Sequence, residues 1–227
     1  MQLPTVEKRT ELRLTYRVKE IFYTLQGEGA HAGRAAVFLR FSGCNLWSGI
    51  EADRSKSICQ FCDTDFVGTD GLKGGIYGDC DSLADLVLKT WMGGVHGNST
   101  NPYVVCTGGE PLLQLDQKLV DSLHSKGIEI AIETNGTKLP PKGIDWICCS
   151  PKANCDWVLK SGDELKLVFP QKKLHPSTFA EWDFKHFFIQ PMDGPTKQAN
   201  TLAAIEFCKA NPKWRLSLQT HKILGIQ

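Results

Sequence analysis

The chain has 227 residues, 26 basic against 25 acidic for a net charge of +1, and 41% of it is hydrophobic. So even a balance gives no electrostatic footing for nucleic acid, and no apolar run reaches the length of a membrane span. The length suits one domain, expected over residues 16–227, with residues 1–15 as a polar N-terminal extension outside the core. Arg17 to Thr24 alternates as a strand does, and Ala35 to Phe41 is a second, more apolar strand. A loop from Ser42 to about Asp65 holds three cysteines, and glycine-rich turns carry the chain to Gly78. Ser82 to Trp91 has helical spacing, with Ser82 as the expected N-cap. Tyr103 to Cys106 is a short buried strand, and Thr107-Gly108-Gly109-Glu110-Pro111 follows it to open a helix through about Ser125. Further strands are predicted at Ile128 to Glu133, Asp145 to Cys149, Glu164 to Phe169 and His186 to Ile189. A helix over Asn200 to Lys209 and a strand over Arg215 to Leu218 complete the series.

Short apolar strands alternating with helices predict an α/β fold with a mostly parallel sheet. Several connections are too short for a helix, so the expected architecture is an incomplete, TIM-like β/α barrel. Nearly every polar motif falls just past the C-terminal end of a strand, the edge at which such folds bind ligands.

Cys44, Cys59 and Cys62 form the pattern C-x14-C-x2-C. Three soft thiolates gathered at one place suit a metal or iron–sulfur site. A [4Fe–4S] cube held by only three cysteines leaves one iron open to another ligand. A zinc knuckle would need a second cysteine pair at similar spacing, and Cys148-Cys149 reads as strand interior instead. Cys80, Cys106, Cys155 and Cys208 are scattered singly, as small buried hydrophobes are. Nine cysteines, an odd count, with no secretory signal argue against disulfides and for a reducing cytoplasm.

The remaining motifs are individually modest. The two glycines of Thr107 to Pro111 allow close approach of a ligand to the backbone, although a plain strand-to-helix turn with Pro111 at its first position explains them equally well. Glu133-Thr134-Asn135-Gly136 and Ser150-Pro151-Lys152 are polar clusters at strand ends, each readable as a capped turn. Gln26-Gly27-Glu28-Gly29 follows the first strand, and Arg40 ends the second. A carboxylate, an amide and a guanidinium facing one cavity suit a heterocycle's edge and a ligand carboxylate, with a surface ion pair as the plain alternative for Arg40. Asp63, Thr64 and Asp65 offer hard oxygen ligands of the kind Mg²⁺ takes. His221 is a substrate-contact candidate.

Taken together, YTLQGEG (Tyr23 to Gly29), the cysteine loop, CDTDF (Cys62 to Phe66), TGGEP, ETNG, SPK and QPMDG (Gln190 to Gly194) resemble the 7-carboxy-7-deazaguanine synthases, which are radical S-adenosylmethionine enzymes. The resemblance runs from about Val18 to the C-terminus. It departs from the wider superfamily's C-x3-C-x2-C in the fourteen residues between Cys44 and Cys59, an insertion some synthases carry. It implies that Cys44, Cys59 and Cys62 hold a [4Fe–4S] cluster whose open iron takes S-adenosylmethionine. An external one-electron donor of the flavodoxin or ferredoxin type is then needed. The implied reaction converts 6-carboxy-5,6,7,8-tetrahydropterin to 7-carboxy-7-deazaguanine with loss of ammonia, for 7-deazapurines such as the queuosine base of tRNA. By position, Thr64 matches the Mg²⁺ ligand. Phe61, Cys62, Asp63, Gly109, Ser150, Pro151, Lys152, Gln190, Pro191, Met192 and Asp193 match the S-adenosylmethionine contacts. Leu25, Gln26, Gly27, Glu28, Arg40 and Thr107 match the substrate pocket, to which His221 and the terminal carboxylate of Gln227 are added as expectations. The resemblance also implies a cytoplasmic homodimer that serves tRNA modification without binding tRNA. A glycyl-radical activase would share the cluster and TGGEP but not YTLQGEG with CDTDF, and an electron-carrying iron–sulfur protein would normally have a fourth cysteine ligand.

Overall fold

The computed structural model describes residues 15–95 and 101–227, so the expected extension lies outside the described residues apart from Thr15. Its strands are β1 (Tyr16–Leu25), β2 (Ala35–Phe41), β3 (Gly75–Tyr77), β4 (Tyr103–Gly108), β5 (Glu129–Thr134), β6 (Trp146–Cys149), β7 (Ser161–Phe169), β8 (Asp183–Pro191) and β9 (Trp214–Leu216). The helices are α1 (Cys80–Gly94), α2 (Gln117–Ser125), α3 (Lys197–Ala210) and α4 (Thr220–Leu224). The strands form one sheet in the order β3-β1-β2-β4-β5-β6-β7-β8-β9. From β2 onward every neighbour in that order is parallel, whereas β1 runs antiparallel to both β2 and β3. The sheet stays open, with β3 and β9 as its edges.

The direction of β1 follows from its connection to β2. Residues 26–34 are too few for a crossover, so the chain returns as a hairpin with Leu25 opposite Ala35 and Ile21 opposite Leu39. That hairpin's loop does not project outward. It folds across the interior toward the far strands: Gly27 O accepts from Thr220 N (2.9 Å), Gly29 N donates to Ser217 Oγ (2.9 Å) and Ala30 N to Glu164 Oε2 (2.8 Å). His31 then packs where β4 and β6 begin, its ring 4.0 Å from that of Trp146 and its Nδ1 2.9 Å from Tyr103 Oη. The loop expected at a ligand-binding strand end is thus a crosspiece joining the two sides of an open sheet.

Two apolar clusters cover the outside. Val18, Leu39, Val104 and Ile130 pack with Leu83 and Val87 of α1 and with Leu119 and Leu123 of α2. Leu165, Leu167, Phe187 and Ile189 pack with Ala204 of α3 and with Phe179 and Trp214. Each fully buried side chain of this size contributes about 1.5–3 kcal/mol. No α-helix connects β5 to β6, β6 to β7 or β7 to β8, as the short connections predicted. Aromatic rings cover the sheet there instead, with Phe179 and Trp182 centred 4.8 Å apart and Trp157 5.7 Å from Phe179.

Three local expectations change. The N-cap of α1 is Asp79, whose carboxylate accepts from Ser82 N at 2.8 Å, so Ser82 sits inside the first turn rather than before it. The helix expected directly after Pro111 is interrupted. Pro111–Leu113 is a short 3-10 turn capped by Glu110, and α2 starts afresh behind Asp116, which accepts from Leu119 N at 3.0 Å. Gln114 is drawn out of helical register by Arg17 N (2.6 Å) and Ser42 O (2.7 Å). Within the glycine-rich turns, Gly75–Tyr77 is an edge strand paired with β1. Among the described residues no helix is long and apolar enough to cross a membrane.

Candidate active site

Where the parallel strands end, the chain encloses a cavity of about 360 Å³. All the site residues expected from the sequence line it except Pro151, which is buried behind the wall with its carbonyl accepting from Gln171 Nε2 at 3.2 Å. Residues far apart in the chain meet here because they lie on, or just beyond, different strands of one sheet.

The cysteine loop forms the rim. Gly43 takes φ +92° and turns the chain out of β2, and Leu46 N then donates to Cys44 Sγ at 3.4 Å. The long insertion folds back on itself: Ile58 N and Cys59 N both reach Leu46 O, at 3.1 and 3.3 Å. Arg54 lies over the Trp47 ring (4.0 Å) and donates to Gln60 O (3.2 Å) and Cys62 O (3.0 Å). On the other side, Lys19 holds Asp65 (2.9 Å) and Asp70 (2.8 Å), which anchors the stretch after Cys62. All three cysteines are free thiols. Cys62 donates to Cys59, which brings the Cys59 thiol down to about 7 against the opposing effect of burial and raises that of Cys62. The glycines of TGGEP serve this rim directly: a methyl group on Gly109 would lie 2.3 Å from Gly43 O and 2.6 Å from Cys44 Cβ, and one on Gly108 would meet Phe41 O at 2.2 Å. They let β4 lie against the cysteine loop. Glu110, fully buried, ties the ends of β4 and β5 through Thr134 Oγ1 and Asn135 N, both at 2.8 Å.

The floor is charged. Lys166 of β7 sits between Glu28 (2.7 Å) and Glu133 (2.8 Å), and Gln26 Nε2 donates to Glu133 Oε1 at 3.1 Å. Burial alone would raise the Glu28 carboxyl, but the Lys166 ammonium outweighs it and brings the group down to about 2. Phe22 and Phe38 stack on the wall at 5.5 Å. Arg40 joins Glu20 through Nε at 2.8 Å; among the described residues no side chain takes its two terminal nitrogens. The pair expected at the surface as the plain alternative is therefore part of the pocket wall.

The C-terminal segment crosses the mouth. Lys222 of α4 bridges Asp63 and Asp193, the latter at 2.6 Å. Gln219 Nε2 donates to both Glu28 Oε1 and Asp63 Oδ2 at 3.0 Å. His221 packs on Gly27, and burial pushes its imidazole below the ordinary histidine value. Thr24 Oγ1 donates to the main-chain oxygen of Gln227 at 2.7 Å.

No family model matches the chain. A 7-carboxy-7-deazaguanine synthase of Caulobacter vibrioides is 59% identical over 213 residues, spanning 94% of this chain and all of the relative. One of Bacteroides thetaiotaomicron is 38% identical over 93% of this chain and 98% of its own. The chain belongs to the 7-carboxy-7-deazaguanine synthase family. A crystal structure of QueE from Escherichia coli has a TM-score of 0.66 at 25% identity, covering 90% of this chain and 93% of the other. Family membership makes the chain a radical S-adenosylmethionine lyase and sets aside the activase, electron-carrier and zinc readings.

The residues fit the family's cluster. The cavity lining holds three free thiols and no fourth cysteine, the donor set for a cube with one iron open. Several residues of this synthase pocket went unnoticed in the sequence: Lys166, Glu20, Phe22, Phe38, Gln219 and Lys222. The signal for Lys166 was faint. Glu164, Lys166 and Val168 alternate with Leu165, Leu167 and Phe169, which reads as a strand with one face in water; in an open barrel that face lines the interior.

Proposed function

We propose that the chain converts 6-carboxy-5,6,7,8-tetrahydropterin to 7-carboxy-7-deazaguanine and ammonia. The observation that carries this reading is one cavity with three free thiols at its rim and a lysine–carboxylate floor beneath them. Cys44, Cys59 and Cys62 would hold the [4Fe–4S] cluster. Phe61, Asp63, Gly109, Ser150, Lys152 and Gln190 to Asp193 would hold S-adenosylmethionine, with Pro151 shaping that wall from behind. When bound, cluster and S-adenosylmethionine supply a carbon-centred radical able to abstract hydrogen from the substrate.

The chain's own residues bind and orient the pterin. Glu28 and Glu133 offer acceptors to its guanidine-like edge, Arg40 offers free N–H groups to its carboxylate, and Leu25 to Gly27, Thr107, His221 and Gln227 complete the pocket. Phe22 and Phe38 give a flat apolar wall to a planar ring. Mg²⁺ belongs to the reading at Thr64. Asp63 and Asp65 on either side are already paired with Lys222 and Lys19, so substrate oxygens would have to complete the ion's shell. An external one-electron donor, a homodimer, a cytoplasmic location and a role in tRNA modification rest on the family resemblance; the near-neutral charge favours service to that pathway without contact with tRNA.

The test is anaerobic turnover of reconstituted enzyme with the pterin, S-adenosylmethionine, Mg²⁺ and dithionite, read by mass spectrometry. Appearance of 7-carboxy-7-deazaguanine, lost in Cys59→Ala, is the expected result. Formation of 5′-deoxyadenosine without deazaguanine would mean that the substrate is wrong.

A further inference from the structure

Lys166 occupies an unusual place. Its side chain is 2% exposed, while the Glu28 and Glu133 carboxylates that it joins are each 18% exposed and line the cavity. All three line the cavity, the cation as the most covered of them and its two anions as the more open. A third carboxylate, Glu164 on the same strand, stands nearby, and the Cys148 thiol of β6 lies among Glu133, Glu164 and the lysine. Glu164 accepts from Ala30 N at 2.8 Å, and burial raises its carboxyl above the ordinary value. One ammonium among three carboxylates cannot neutralise them all, and a low-dielectric floor does not tolerate a net charge of −2. The proton that relieves it belongs on Glu164, which is the group turned away from the cavity.

We infer that Lys166 is a positioning residue for the pterin: it holds Glu28 and Glu133 side by side as paired acceptors for the ligand's donor edge, while Glu164 carries the floor's proton. The inference rests on the proposed pterin reaction and deepens it. A carboxylate that took up a proton would turn one acceptor into a donor and repel the N–H groups it has to receive. Gln26 on Glu133 and Gln219 on Glu28 are neutral, while His221 faces Glu28 and Tyr103 faces Glu133 and Glu164 as titratable neighbours, burial lowering the imidazole and raising the phenol. Specificity for a ligand with two adjacent donors thus depends on the lysine that holds its two acceptors together.

Lys166→Met keeps the shape of the side chain and removes its charge. In reconstituted holoenzyme the KM for the pterin is expected to rise about 100-fold and kcat to fall less than about fivefold, because a binding contact is lost and the radical chemistry is not. KM should also gain a pH dependence between about pH 6 and pH 8 beyond that of the wild type, whose His221 also faces the pocket, as a buried carboxylate without its cation takes up a proton. Infrared spectroscopy of the ligand-free holoenzyme gives a reading independent of turnover. A protonated-carboxyl band should appear in Lys166→Met and vanish when Glu28→Gln is added. An unchanged KM, or no new band, would overturn the inference. If Lys166→Met does not fold, the wild type decides: at pH 5, Glu28→Gln should remove an ionised carboxylate band and Glu164→Gln a protonated one, and the reverse pattern would overturn the assignment. Wild-type turnover is the separate control, since absence of deazaguanine there sinks the proposed reaction while the ligand-free spectra still report the floor's charges.

Discussion

A methyl group at Gly27 would lie 2.2 Å from His221 Nδ1 and 2.9 Å from its Cγ, too close for the ring to stay where it is. Gly27→Ala should therefore displace His221 from the pocket, at a cost of about 1–3 kcal/mol and a fall in Tm of a few degrees. Pterin affinity should drop about tenfold while the iron content of the reconstituted protein stays at the wild-type level, a split that isothermal titration and iron analysis would check. At this scale the sequence was informative where residue type and chemistry coincide. Three cysteines announce soft-metal chemistry whatever surrounds them, and the polar clusters at strand ends stood out against apolar runs. Lys166 was illegible for a physical reason: lysine on an alternating strand normally faces water, and only the curvature of the sheet turns that face inward.

Helix α4 is five residues long, and Lys222 on it holds one carboxylate from the cysteine loop and one from the end of β8. Asp193 is brought down to about 2, chiefly by the hydrogen bond from Lys222. The sign follows directly. A depressed carboxyl contributes stability that is complete above its ordinary value of about 4 and is lost as pH falls through about 2. Burial works against the Lys222 ammonium, but its two carboxylates raise it, so the alkaline loss begins only above the ordinary lysine value of about 10.4. Lys222→Met should thus lower Tm by about 2–4 °C evenly across pH 5 to 9, with the difference shrinking below pH 4, as calorimetry at several pH values would measure. Elements this short carry no periodicity, and α4 and the glycine-flanked β3 escaped sequence reading, whereas the strands of the parallel region, the equally short β9 among them, were found with their ends displaced by a few residues. The break before α2 was hidden differently, because the pull on Gln114 comes from Arg17 and Ser42, far away in the chain.

For the whole molecule, alternation of strand and helix made the parallel sheet legible, and the missing helices made its incompleteness legible. The reversed first strand was not read, since an alternating pattern looks the same in either direction; the short stretch before β2 was the available clue. That reversal is what supplies the crosspiece from Gln26 to His31. Gly29 holds it at φ +66°, and a methyl group there would lie 2.1 Å from Glu164 Oε1. Gly29→Ala should loosen the crosspiece at a cost of about 1–3 kcal/mol. The expected sign is uncoupling: more 5′-deoxyadenosine released per deazaguanine made, with an unchanged ratio counting against a sealing role for the loop.

The crosspiece ties the first strand's end to the far side of the sheet through Ser217 and Glu164. At the pocket's mouth α4 is fastened twice, to the cysteine loop and the end of β8 through Lys222 and to the crosspiece through Thr220, whose N and Oγ1 both donate to Gly27 O at 2.9 Å. A helix one turn long thus ties the cysteine loop, the last parallel strands and the crosspiece to one another.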